Sequence, residues 1–147
     1  MSLLIDSYGM YKPLVDFGKS NPVMGTCAGL IMMAKTVHDE RIKPLGFLDI
    51  VVDRNAYGRQ IESATEVVQY TFNTDHKLEL STTLIRAPKI SELGDNLHVI
   101  GKLKGSPVAI LSGHHLGLSF HPELDGIDIF HKILFDPNSQ VYYKKIN

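Results

Sequence analysis

Pro22-Val23-Met24-Gly25-Thr26-Cys27-Ala28-Gly29-Leu30-Ile31-Met32-Met33-Ala34-Lys35 sets the architecture of this chain. Ser20 and Asn21 mark a turn, and Pro22 to Met24 is a short apolar run of strand character. Leu30 to Lys35 has helix-forming residues and ends on a base, so the segment reads as strand, tight turn, helix. Gly25 and Gly29 flank the turn. Small residues there let the chain bend sharply and push the middle side chain, Cys27, outward. The turn also sets Cys27 at a helix N-terminus, where unpaired N–H groups favour a thiolate. A lone cysteine is more often buried filler. The two glycines and the strand-to-helix context make this one a nucleophile.

Outward from the elbow, Ser2 to Tyr8 and Pro13 to Gly18 read as two helical pieces broken near Gly9. Past the polar stretch His38 to Lys43 the pattern turns to strands. Phe47 to Val52 is one. Alternation of Val68, Tyr70 and Phe72, and of Leu78 and Leu80, gives two more. Val99 to Leu103 and Val108 to Leu111 flank a turn at Lys104-Gly105-Ser106-Pro107. Gly117 to Phe120 is a last short strand before His121, and Ile127, Phe130 and Leu134 lie at helical spacing behind it. The order predicts an α/β domain with a strand-rich second half.

The chain has 147 residues, 44% of them hydrophobic, enough for one core. A formal charge of −1 gives no electrostatic case for nucleic acid or an anionic membrane. No apolar run approaches the ~20 residues of a membrane span, and Met1 to Asp6 lacks the basic flank of a signal peptide. One cysteine excludes an internal disulfide, so a reducing cytoplasm is the expected compartment.

His121-Pro122-Glu123 supplies the second chemical signal. In an extended chain, residues i and i+2 share a side, so the carboxylate can fix the imidazole tautomer and make His121 a base for a thiol. His114 and His115 do not suit a metal, because neighbours on a strand point to opposite faces. No metal and no cofactor is expected, and no phosphate-binding glycine motif is present.

Gly-Thr-Cys-Ala-Gly-Leu and Ser119-Phe120-His121-Pro122-Glu123 together resemble the class I glutamine amidotransferases. Leu45-Gly46-Phe47-Leu48-Asp49, Arg54 to Ser63, and Ile85-Arg86-Ala87-Pro88 are similar to the glutaminase subunits of pyridoxal 5′-phosphate synthases. The resemblance implies a flavodoxin-like, three-layer α/β fold and hydrolysis of L-glutamine to glutamate and ammonia. It implies that Cys27 attacks the side-chain amide, His121 protonates the ammonia and Glu123 orients His121. Ala28 is implied as an oxyanion donor through its backbone N–H, and Arg54, Ile85 and Arg86 as glutamine-binding positions. The ammonia is implied to pass to a pyridoxal 5′-phosphate synthase subunit as partner.

Family members begin with a strand-helix-strand segment ending in Gly-Gly-Glu-Ser, which has no counterpart here. Residues 1–147 therefore read as a single, incomplete glutaminase domain, with apolar faces and a strand edge left open. Two other readings stay open on the residues alone: a non-catalytic or impaired domain on this fold, and another cysteine hydrolase with the same elbow.

Overall fold

The elbow forms as the sequence predicts on its strand side and stops early on its helix side. In the computed structural model, which describes residues 1–54, 63–73 and 76–146, Val23–Thr26 is strand β1 and Ala28–Met33 is helix α3. The helix does not reach Lys35. Ala34–Val37 is a strand, β2, which pairs in parallel with β3 at Leu48–Asp53. Sheet bonds to β3 and the β-branched pair Thr36-Val37 outweigh the helical preference of Ala34 and Lys35.

Helices α1 (Ser2–Ser7) and α2 (Tyr11–Gly18) precede the elbow, separated by Gly9 at φ 62°. The second begins at Tyr11 rather than Pro13. Pro13 still falls in the first turn, where its missing N–H removes no intrahelical bond. Leu3, Leu4, Tyr8 and Phe17 on these two helices stand exposed.

The second half holds β4 (Ser63–Thr71), β5 (Lys77–Ile85), β6 (Lys89–Leu93), β7 (His98–Leu103), β8 (Ser106–Ser112) and β9 (His115–Leu118). A 3₁₀ turn, η1 (Pro122–Asp125), and helices α4 (Ile129–Phe135) and α5 (Tyr143–Ile146) close the chain. Strand β6 is not legible as an alternating run, because only Ile90 of its five residues is buried. The β7–β8 turn is tighter than expected: Lys104 and Gly105 both adopt positive φ, while Ser106 and Pro107 already belong to β8. Two consecutive positive φ values match the twist of paired strands. Strand β9 starts and ends two residues before the predicted Gly117 to Phe120, because His115 pairs with Ser112 and the chain leaves the sheet at Ser119.

Two sheets result, one with order β1-β9-β8-β7-β4-β5 and one with order β2-β3-β6. In the larger sheet β1 and β9 are parallel, with Thr26 opposite Leu118, and the other pairs are antiparallel. Strand β1 is the outer strand on its side and β5 on the other. Along β9, Leu116 and Leu118 join the core that contains Phe120, Phe130 and Ile133. Gly117 faces the opposite way, and a Cβ there would lie 2.5 Å from Leu30 and 2.6 Å from Leu48. Helix α4 thus covers one face and α3 the other. That layering is the expected α/β arrangement, and it carries β1 and β9 side by side to one end of the molecule.

Candidate active site

Cys27 sits at that end with φ 48° and ψ −104°, a conformation a side chain rarely adopts. Such a residue stores on the order of 1–3 kcal/mol and persists only where its surroundings hold it. Here both sides hold it. The Cys27 N–H donates to the Leu118 carbonyl at 2.8 Å, continuing the β1–β9 pairing, and the Cys27 carbonyl accepts from Ile31 at 3.3 Å within α3. Gly25 lets the helix lie this close: a Cβ on it would fall 2.5 Å from the Met33 sulfur and 2.6 Å from the Gly29 carbonyl carbon. Gly29 has open space where its Cβ would go. Close packing therefore requires glycine at 25 and not at 29.

The thiol does not behave as the helix terminus alone suggested. Burial pushes the Cys27 thiol up, a hydrogen bond with the Ala28 N–H opposes the rise, and the Glu123 carboxylate adds to it. A helix of six residues supplies too little dipole to reverse this. That direction favours the thiol over the thiolate. Its sulfur also approaches the Ile85 carbonyl at 3.9 Å, at the end of β5.

His121 follows β9, so it rises from the strand beside the one that carries Cys27. Its Nδ1 lies 2.7 Å from Glu123 Oε1. The carboxylate can only accept, so Nδ1 donates and Nε2 is left with its lone pair. The pair forms by a different route from the one the sequence suggested. His121 is extended, but Glu123 lies in the first turn of η1, because Pro122 fits the start of a helical turn. Leu124 N–H closes that turn on the His121 carbonyl at 3.1 Å. Burial alone would raise the Glu123 carboxyl; hydrogen bonds from its own backbone N–H and from His121 outweigh this and hold it below its usual value.

A cavity of about 430 Å³ opens beside Ala28, lined also by Met1, Leu3, Ile31, Arg41 and Arg54. Arg54 is half exposed and donates to Asp39 at 3.3 Å, and Arg41 grips the same carboxylate at 2.8 and 2.7 Å. Hydrogen bonds from Arg41, against the effect of burial, hold Asp39 well below the usual carboxylate range. Sequence reasoning missed Asp39 and Arg41, which look like part of an ordinary polar loop. The remainder of the Arg54 motif, residues 55–62, lies outside the described residues.

The structure therefore places Cys27 beside Ala28 and the Ile85 carbonyl, near enough to Glu123 of the His121–Glu123 pair for its charge to act on the thiol, with Arg54 on the adjoining cavity. It does not bring Arg86 to that cavity. Arg86, at φ 46°, lines a second cavity of about 230 Å³ with Ala64, Leu84 and Leu103. Among the described residues no cluster of His, Cys, Asp and Glu could hold a metal ion. The two adjacent histidines do not diverge as expected of strand neighbours. His114 lies in the preceding turn, its ring 4.2 Å from that of His115, and bonds the Gly18 carbonyl at 2.9 Å. His115 is buried and stacks on Phe47 at 4.9 Å.

A sequence model of the SNO glutamine amidotransferase family matches residues 1–136. The chain belongs to the SNO glutamine amidotransferase family. SNO-family relatives include pyridoxal 5′-phosphate synthase subunit PdxT of Shouchella clausii, 44% identical over 84% of this chain and 63% of that one. PdxT of Thermoplasma volcanium is 43% identical over 84% of this chain and 60% of that one. PdxT of Brevibacillus brevis is 39% identical over 92% and 70%. The chain thus spans less than two thirds of the first two relatives. A crystal structure of a glutamine amidotransferase superposes with a TM-score of 0.82 at 32% identity, over 92% of this chain and 71% of that one. A Thermotoga maritima glutamine amidotransferase shares the fold at a TM-score of 0.54 and 16% identity. The architecture is the flavodoxin-like fold of class I glutamine amidotransferases. No helix among the described residues is long and apolar enough to cross a membrane.

Proposed function

We propose that residues 1–147 act as a glutaminase domain that hydrolyses L-glutamine and delivers ammonia to a pyridoxal 5′-phosphate synthase subunit. The observation that carries the reading is the mounting of a strained cysteine on β1 and a carboxylate-bound histidine just past β9, its parallel neighbour. PdxT relatives carry the synthase-subunit name, which supports the choice of partner. The lone cysteine fits a cytoplasmic setting.

Because burial keeps Cys27 as a thiol, attack needs a base. His121 Nε2 takes the thiol proton, and the sulfur bonds to the carboxamide carbon of glutamine. The Ala28 N–H receives the developing oxyanion. The C–N bond breaks as His121 returns the proton to the leaving ammonia, which leaves a thioester on Cys27. Water then attacks, His121 again accepting a proton, and glutamate departs from the regenerated thiol. Glu123 holds the imidazole in the tautomer that this exchange requires. Arg54, steered by Asp39, offers a planar fork to the substrate α-carboxylate.

The test is covalent labelling with a chloroketone analogue of glutamine, with and without the synthase subunit. A single adduct on Cys27 that disappears in Cys27→Ala and slows in His121→Ala is expected. No adduct on Cys27 under either condition would overturn the reading.

A further inference from the structure

Strand β5 ends at the sulfur of Cys27 through Ile85, and it is also an outer strand whose free edge has no strand partner among the described residues. Two residues before the end of that edge, at Thr83, one side chain from elsewhere in the chain occupies the vacant bonding position. Asp125 Oδ2 accepts from the Thr83 N–H at 2.7 Å, and Asp125 Oδ1 accepts from the Thr83 hydroxyl at 2.7 Å. Thr83 Oγ1 also lies 3.3 Å from Thr65 Oγ1 on β4. With the single Thr83 hydroxyl proton committed to Asp125, Thr65 donates in that contact, so the carboxylate is tied through two strands.

Asp125 is the last residue of η1, the turn that holds Glu123. His121 and Glu123 are thus secured at one end by the departure of the chain from β9 and at the other by Asp125 on β5. Without the second tie, the turn would be held from its far side chiefly by the backbone bonds of Gly126 and Ile127 to Glu123 and Pro122. We propose that Asp125 is a positioning residue: its carboxylate latches the His121–Glu123 turn onto β5 and so fixes the imidazole relative to the Cys27 thiol. The inference rests on the glutaminase reading for its purpose. The latch itself is a property of the fold. A displacement of about 1 Å in such a pair costs about a hundredfold in rate, so partial loosening is expected to be visible.

The test uses the full chain and the pH dependence of Cys27 alkylation by iodoacetamide in wild type, His121→Ala, Asp125→Ala, Asp125→Asn and Thr83→Val. In Asp125→Asn, Oδ1 still accepts the Thr83 N–H and Nδ2 donates to the Thr83 hydroxyl, so the latch survives without its charge. The expectation is that Asp125→Ala slows alkylation at neutral pH about tenfold and takes on the pH profile of His121→Ala. Asp125→Asn stays within about twofold of wild type, and Thr83→Val falls between. A wild-type profile in Asp125→Ala, even with a lowered unfolding midpoint, would show a merely structural role and overturn the latch. Equal damage in Asp125→Asn would overturn it too, by assigning the effect to charge. His121→Ala indistinguishable from wild type would instead strike at the Cys27–His121 pairing of the glutaminase reading. In that case the Nδ1 proton of His121, read by NMR, still decides the latch. Its loss to exchange in Asp125→Ala supports the proposal, and its persistence there overturns it.

Discussion

Gly25→Ala should damage both stability and the reactivity of Cys27, and the structure sets the size of the effect. The added methyl would sit 2.5 Å from the Met33 sulfur, 2.6 Å from the Gly29 carbonyl carbon and 2.7 Å from its oxygen. The sulfur ends a flexible side chain and can turn aside. The Gly29 backbone cannot, so α3 must retreat by roughly 1 Å to restore ordinary contact. Overpacking of this kind costs about 1–3 kcal/mol. The retreat also drags Ala28 and Cys27 away from β9, and about 1 Å there is worth about a hundredfold in a reaction that depends on alignment. Gly29→Ala is the matched control, since its methyl meets nothing within 4 Å and replaces glycine inside a helix. That change should be neutral or stabilising by up to about 1 kcal/mol. Urea unfolding followed by circular dichroism and the labelling rate of Cys27 by the glutamine chloroketone would measure both. Equal stability and equal labelling in the two variants would refute the packing argument.

Three further outcomes are expected. Burial, with the charge of His114, lowers the His115 imidazole to about 4 in the folded chain, against 6.5 in the unfolded one. The unfolded state therefore binds the extra proton first, and stability present above pH 6.5 drains away as pH falls towards 4, by about 3 kcal/mol. His115→Phe, which keeps the stack on Phe47, should flatten that part of the pH–stability curve relative to wild type; an unchanged slope would contradict the assignment. Tyr70→Phe removes the buried hydroxyl bonded to Thr82 at 2.9 Å and should cost about 1–2 kcal/mol in urea unfolding. A loss too small to measure would mean that this bond contributes nothing net. Arg54→Ala should raise KM for glutamine about tenfold or more while leaving iodoacetamide labelling of Cys27 unchanged, because a small reagent carries no carboxylate to bind. A fall in kcat with constant KM would remove Arg54 from substrate binding.

Much of the fold is legible in the amino-acid sequence. The alternation of Val68, Tyr70 and Phe72 marks β4 because one face of that strand is buried and the other wet. The candidates Cys27, His121 and Glu123 stand out because the glycines around the cysteine and the i, i+2 placing of the histidine and glutamate are each local in the chain. Strand β2 is hidden because only pairing with β3 turns Ala34 and Lys35 away from a helix. Contacts set by tertiary distance leave no local signal. Asp39 meets Arg54 from 15 positions away, and Asp125 meets Thr83 from 42. The direction of the Cys27 shift is hidden for the same reason, since the burial that raises it, and the smaller push from Glu123, come from elements distant in sequence.

The bond from the Cys27 N–H to the Leu118 carbonyl acts as a gauge between two tools. It is made of main chain on both sides, so the spacing it sets is one inter-strand step of about 4.8 Å. The adjoining cavity is walled by side chains instead, Leu3, Arg41 and Arg54 among them, so substitutions there can reshape the cavity without touching that main-chain step.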